Sequence, residues 1–408
     1  MPTGQLLRYG LLGLPLAFGA LPVYIFVPDF YARSGWLGLS AIGVILLLTR
    51  LLDAVADPGF GWLVDRYPRH WILWIALLPF AAGFFALFSP PDVVRMMPGL
   101  WLFMSLACCT LGFSAVMIAY QAWGGDLGQN SAQRLQLTGV REAFILAGVV
   151  IASVIPTLAN DDPLVGMQTL PWYLLGFLLL ALAGLWRLPK GRQSMNDTAM
   201  GPRLRNALGD TVYRRLLVVF FANGVASAFP ATLFVFYVTD VLQVPEKTGL
   251  LLGSYFLAAA IAVPLWVRCA RHVGRPVTWI IAMAMAMMSF VGAAFLGPGE
   301  WGLFLVICLV SGIAVGTDLT IPASIVADLG ETRGATGTYF GVWNLVAKIN
   351  LALAAGIALP LLSFFGYVPG DTEHRAVLIA AYVLLPVGLK TVALLLLYRW
   401  RRALSISV

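Results

Sequence analysis

The stretch RLLDAVADPGFGWLVDRYPRH, residues 50–70, sets an arginine and two aspartates inside a run otherwise apolar enough for lipid. Asp53 and Asp57 are four residues apart, so on a helix they stand one above the other on a single face, with side chains roughly 6 Å apart. Two like charges in a low dielectric cannot both stay ionised unless a proton or a metal ion comes between them. Ionisable groups inside a membrane span mark functional sites by default. The pair therefore has the chemistry of a cation-coupled site. A second reading lets Arg50, three residues before Asp53, neutralise that carboxylate as a structural pair. It leaves Asp57 unexplained.

Those carboxylates have to ride on a membrane helix. Of 408 residues, 60% are hydrophobic and 11% charged, against about 25% charged in soluble domains. Twelve apolar stretches, from 6–27 and 36–63 through to 376–398, are each long enough to cross the hydrocarbon core. The expected fold class is an all-α polytopic membrane protein with twelve transmembrane helices. The first apolar run is a full-length span without a convincing cleavage site, so it reads as helix 1 rather than a signal peptide. Placing both termini in the cytoplasm puts 18 of the 26 Lys and Arg on that side, as the positive-inside rule requires. The net charge of +7 thus orients the chain in its lipid bilayer and calls for no nucleic-acid partner. The four cysteines form no CxxC pair and no metal cluster, which leaves packing as their role.

The longest polar stretch falls near the midpoint, at 187–215. It divides the chain into a six-helix half at 1–188, a cytoplasmic linker at 189–214 and a second half at 215–408. An ungapped internal repeat supports the division. Asp126-Leu127-Gly128 recurs as Asp328-Leu329-Gly330, Gly139-Val140 as Gly341-Val342, and Arg66, Arg69 and His70 as Arg268, Arg271 and His272, all 202 residues apart. Parallel repeats of this kind are a transporter signature. The positions equivalent to Asp53 and Asp57 are Tyr255 and Ala259, so the carboxylate pair belongs to the first half alone.

Three more cations fall within spans: Arg141, Lys348 and Lys390. Lys348 is too deep to reach the interface and needs an acidic partner, for which the Asp53/Asp57 pair is the expected candidate. Arg141 and Glu142 open the fifth helix and read either as a local pair or as part of the coupling network. Lys390, nearer a helix end, is expected to snorkel. No HExxH or GxSxG occurs, and the three histidines fall in loop positions, which argues against an enzyme.

Here the sequence resembles a known family. RLLDAVADPGFGWLVDR resembles the helix-2 motif of the glycoside–pentoside–hexuronide:cation symporters, the melibiose permease family of the major facilitator superfamily. Gly61, Asp65, Arg66 and Arg69 resemble the superfamily's gating motif in the loop between helices 2 and 3, with Pro68 where a glycine is usual. IVADLGETRGATGTYFGVWNLVAK resembles the family's helix 10–11 connection and ends on its lysine, Lys348; QRLQLTGVREAF resembles the start of helix 5, with Arg141 at the family's arginine; FYVTDVLQ resembles the end of helix 7.

The resemblance implies a major facilitator fold, with alternating access between the two halves. It implies Asp53, Asp57 and Ser114 as cation ligands, Lys348 as the link to the substrate cavity, Arg50 and Arg141 as the accompanying charge network, and no cofactor or metal beyond a sodium at Asp53 and Asp57. Two departures matter. Ala56 stands where the family often has an asparagine, which removes an oxygen ligand and favours H+ over Na+ as the coupling ion. Ala17 and Met117 stand where the family has sugar-gripping carboxylates. Phe18, Tyr24, Tyr120, Gln121, Trp123, Trp343 and Asn344 are the expected cavity residues, a set that suits an amphipathic or lipid-like small molecule; some animal relatives carry lysophospholipids. The expected activity is cation-coupled symport by a monomer in the cell (inner) membrane. A sugar or glycoside symporter, a lipid scramblase and a drug antiporter are the alternatives.

Overall fold

Proline and glycine punctuate a chain that is otherwise helical. In a computed structural model, residues 1–33, 36–37, 39–91, 96–159, 163–188, 199–367 and 375–405 are described, and among them every regular element is a helix. The first half holds α1 (Thr3–Gly10), α2 (Gly13–Arg33), α3 (Leu39–Arg66), α4 (Arg69–Phe88), α5 (Pro98–Leu127), α6 (Ser131–Ala159) and α7 (Pro163–Leu185). After a short α8 (Met200–Gly209) come α9 (Thr211–Phe236), α10 (Thr248–Val273), α11 (Arg275–Val291), α12 (Trp301–Thr332), α13 (Thr336–Phe364), α14 (Arg375–Ile379) and α15 (Leu385–Leu404). The boundaries have local causes. Pro98 opens α5, where a missing N–H costs nothing. Asp210 accepts from the backbone N–H groups of Val212 and Tyr213 and so caps α9. Gly274 breaks α10 from α11 at φ 86°, a left-handed conformation that favours glycine.

Ten helices among the described residues are long and apolar enough to cross a membrane. The remaining two of the twelve expected spans correspond to α3 and α13, of 28 and 29 residues. Three local expectations need correction. The fifth span starts at Ser131, so Arg141 lies well inside α6 instead of opening it. His70 is in the first turn of α4 and His272 in the last turn of α10, not in loops, while His374 lies outside the described residues. Of the expected linker, 189–198 also lies outside them; its later part forms α8.

The described residues gather into two compact units: Met1–Ala207 with Val326–Leu345, and Leu208–Ile325 with Val346–Val408. The end of α12 and the start of α13 therefore pack within the first unit. Part of the repeat is visible there. A Cβ on Gly128 would meet the backbone of Arg134, and a Cβ on Gly330 would meet the backbone of Thr336. These two contacts are themselves 202 residues apart, so the same tight turn is built twice. In the second unit Tyr237 and Tyr382, on π-helical turns at Tyr237–Val241 and Ala380–Leu384, stack at 4.2 Å within an apolar core that includes Phe304.

In the first unit α3 and α13 approach to backbone contact. Gly337 and Gly341 form a small-xxx-small pair that lets backbones touch. An added Cβ at Gly337 would sit 2.5 Å from the Gly61 carbonyl oxygen and 2.8 Å from an Asp65 carboxylate oxygen. Gly337→Ala is expected to cost about 1–3 kcal/mol through overpacking. Gly253→Ala in α10, where an added Cβ meets nothing within 4 Å, is expected to be neutral or to gain up to about 1 kcal/mol. Thermal unfolding of the two variants in detergent checks this; equal midpoints would show that the glycine contact does not set the packing.

Candidate cation-coupling site

The aspartates of α3 are buried, and a hydroxyl from α5 reaches one of them. Asp53, Asp57 and Ser114 are 3%, 0% and 3% exposed. Ser114 donates its hydroxyl to Asp53 Oδ1 at 2.5 Å. Arg50, one turn earlier on α3, lies on the exposed side. Pro58 sits inside α3 immediately after Asp57. A proline within a helix removes one ladder hydrogen bond, and in a membrane the freed groups are answered by neighbouring elements. The Asp57 carbonyl itself packs against α13: a Cβ on Gly341 would lie 2.6 Å from its oxygen. Among the described residues no three His, Cys, Asp or Glu side chains come together as metal ligands.

Two turns beyond Asp57, Asp65 holds the start of α13. Its carboxylate accepts from Gly337 N at 2.7 Å, Thr338 N at 2.8 Å and Thr338 Oγ1 at 2.6 Å. A carboxylate at a helix N-terminus meets unpaired N–H groups and the positive end of the dipole together. Arginines surround it: Arg203 lies 3.2 Å and Arg69 3.9 Å from Asp65, and Arg69 also pairs with Asp126 at 2.5 Å. A second cluster joins Arg134 to Asp328 at 3.0 Å and Glu331 at 2.9 Å. Of the expected gating residues, Gly61, Asp65 and Arg69 thus meet, whereas Arg66 lies over the rings of Trp62 and Tyr67.

The other expected residues divide. Arg141 is buried and bonds Glu142 Oε1 through Nε at 3.0 Å and Nη2 at 2.7 Å, the local pair that was one of its two readings. Gln121 accepts from Asn344 Nδ2 at 3.0 Å, with Trp343 buried beside it. Phe18 packs edge-on against Phe177, and Tyr120 exchanges hydrogen bonds with Tyr9. Trp123 faces a groove of about 300 Å³ with Trp74 and Trp186. The side chain of Tyr24 lies outside the described residues. Lys348 is half-buried on the part of α13 that belongs to the second unit.

Sequence reasoning missed two partners. Lys390 does not snorkel: it pairs with Asp318 at 3.0 Å, and both are 12% exposed. The signal was available, since Asp318 lies in the middle of an apolar span. Arg203 falls within the cytoplasmic linker expected at 189–214, and nothing in its local sequence points to Asp65, since the two meet only in the folded chain.

The arrangement defines a class of protein, a polytopic helical transporter. The fold matches a crystal structure of a bacterial homologue of the iron transporter ferroportin in the outward-facing state, at TM-score 0.75 and 17% identity, covering 97% of this chain and 99% of that one. It matches equally a Major Facilitator Superfamily transporter, FucP, in the outward conformation, at TM-score 0.72 and 16% identity over 99% of this chain and 100% of that one. Residues 8–401 match the MFS/sugar transport protein family, and the chain belongs to it. Similar curated proteins are the "Uncharacterized symporter YnaJ" of Bacillus subtilis, 24% identical over 90% of this chain and 84% of that protein, and the "Inner membrane symporter YicJ" of Escherichia coli, 24% identical over 89% and 84%. The "Sodium-dependent lysophosphatidylcholine symporter 1-A" of Danio rerio is 20% identical over 88% and 77%. The chain is an integral, multi-pass membrane protein, and cation-coupled symport of a solute is the activity its family membership carries.

Asp65→Ala removes three hydrogen bonds from the first turn of α13. The expected loss is about 2 kcal/mol, the upper end for a helix cap, and Asp65→Asn, which keeps one acceptor oxygen, is expected to lose less. Thermal unfolding of the pair checks the order.

Proposed function

We propose that the protein is a proton-coupled symporter of a small organic solute, with Asp53 and Asp57 as the coupling carboxylates. The observation that carries this reading is the pair of buried carboxylates one turn apart on α3, with the Ser114 hydroxyl on Asp53. A proton needs only one carboxylate oxygen to hold it, and either aspartate supplies one. A hard cation instead asks for about six oxygens, and Ala56 beside Asp57 offers no side-chain oxygen. Transport involves no covalent chemistry; binding of the ion and the solute biases an equilibrium between access states. A monomer in the inner membrane is the working arrangement, and the distribution of Lys and Arg supports placing both termini in the cytoplasm.

Uptake into proteoliposomes tests the coupling ion. An imposed pH gradient is expected to drive accumulation, a sodium gradient at fixed pH is expected to drive little, and Ala56→Asn is expected to increase the sodium response. Strong sodium-driven uptake without a pH response would overturn the proton assignment. Asp53→Asn and Asp57→Asn are each expected to abolish accumulation against a gradient while membrane insertion persists.

Lys348 is proposed to belong to the same functional network, by its depth in α13. Lys348→Ala is expected to uncouple transport. Combined with Asp53→Asn it should lose less than the sum of the two single losses, as members of one network do. Strict additivity in that cycle would remove Lys348 from the network.

A further inference from the structure

The second unit contains a polar cluster that the coupling site does not use. Asp318 on α12 accepts from Lys390 Nζ on α15 at 3.0 Å and from Trp279 Nε1 on α11 at 2.6 Å. The lysine also reaches Ser227 Oγ on α9 at 3.2 Å. One turn back along the same face of α9 is Asn223, and beside it Gly224, against which the Asn350 side chain of α13 is packed. Residues three and four apart on a helix are neighbours about 5–6 Å apart. Asn223, Gly224 and Ser227 therefore bring the Asn350 amide and the Asp318–Lys390 pair to adjacent turns of one helix.

The two asparagines carry the argument. Each is 3% exposed. The Oδ1 of Asn223 and both the Oδ1 and Nδ2 of Asn350 face no hydrogen-bonding partner among the described residues. An unanswered buried polar group costs about 1–3 kcal/mol, so three such atoms together call for something that binds them. The buried hydroxyls nearby make the contrast. Thr317, Thr320 and Ser324 of α12 all donate to carbonyls of their own helix, so their donors are already answered. A polar group used only to join helices would be answered across the contact, as Ser227 and Trp279 are.

The donor and acceptor inventory selects the chemistry. Asn350 offers both a donor and an acceptor and Asn223 an acceptor, a mixture that hydroxyl groups, which donate and accept at once, can satisfy. The cluster is electrically balanced, because Asp318 neutralises Lys390. An anionic group would meet the Asp318 carboxylate beside the lysine, and a cation would meet the ammonium beside the carboxylate. We propose that Asn223, Asn350, Ser227 and the Asp318–Lys390 pair form a binding subsite, built wholly within the second unit, for an uncharged, hydroxyl-bearing part of the transported solute. This rests on the reading of the protein as a solute symporter but not on the identity of its coupling ion.

The test measures binding, which needs no ion gradient and so is separate from the coupling experiment. Full-length protein in detergent is titrated with a set of methyl glycosides of the common hexoses and pentoses, with methyl glucuronide and with lysophosphatidylcholine, and the shift in unfolding temperature is read. At least one neutral glycoside is expected to stabilise the protein, with weaker or no effect from the uronide and the lysolipid. Asn350→Leu is expected to weaken that glycoside about tenfold or more, the effect of losing one or two hydrogen bonds. Asn223→Ala, which deletes less of the contact, provides the same measurement if the leucine variant does not fold. Stabilisation by the uronide or the lysolipid in preference to every neutral glycoside would overturn the subsite. So would no response to any glycoside, or unchanged affinity in the asparagine variants.

Discussion

The contact on which the first unit turns is the Asp65 carboxylate set on the first turn of α13. A carboxylate that accepts from two backbone N–H groups and a hydroxyl makes charge-assisted bonds, roughly twice as strong as neutral ones. It also fixes the crossing of two helices at one end. With that end fixed, the glycines Gly61, Gly337 and Gly341 allow the helices to close to backbone contact, and the carbonyl of Asp57 is brought against α13. Asp53 and Asp57, the carboxylates proposed to couple transport, thus stand on a helix whose position is set two turns away. Arg69 and Arg203 add a cationic surround to Asp65, so a negative charge buried at 1% exposure is compensated on several sides. Breaking one partner of such a set leaves the others buried and unanswered, which is what makes the arrangement cooperative.

Lipid imposes a strict rule on the remaining charges: each one within a span has to be answered inside the protein. Arg141 is answered by Glu142, the next residue, and Lys390 by Asp318, 72 residues away. These are opposite charges, and each pair is complete in itself. Asp53 and Asp57 are different in kind. They have the same sign and share one face of α3, so their compensation can change with the proton or ion they hold. A static ion pair stabilises one arrangement, whereas a like-charged pair registers what is bound to it. That distinction separates the proposed coupling site from the paired charges more clearly than burial does, because the Arg141–Glu142 pair is buried as well.

The two units also divide the polar work. In the first, hydroxyl and carboxylate meet at Asp53 and Ser114. In the second, Asn223 Oδ1 and the Asn350 amide, which meet no hydrogen-bonding partner among the described residues, lie near an ion pair. The positions equivalent to the carboxylates by the internal repeat are Tyr255 and Ala259, so the repeat does not carry the carboxylate pair into the second half. What the repeat preserved is backbone geometry, as the matching turns at Gly128 and Gly330 show.

Much of this was legible in the residues alone, for a reason that lies in the period of the helix. The spacing of Asp53 and Asp57 fixes their common face, a run of twenty apolar residues fixes a span, and Gly337 and Gly341 at four apart already describe a surface where backbones can touch. Those are local properties. The pairing of Asp318 with Lys390, the seat of Arg203 on Asp65 and the placement of Asn350 against Gly224 are not local, and only the tertiary structure decided them. In water an amphipathic pattern shows which side of a helix faces the core. In lipid the outer face is as apolar as the inner one, so the pattern does not say which helices touch. The sequence therefore determined which residues have to be answered within the membrane, and the packing of helices distant in the chain determined by what.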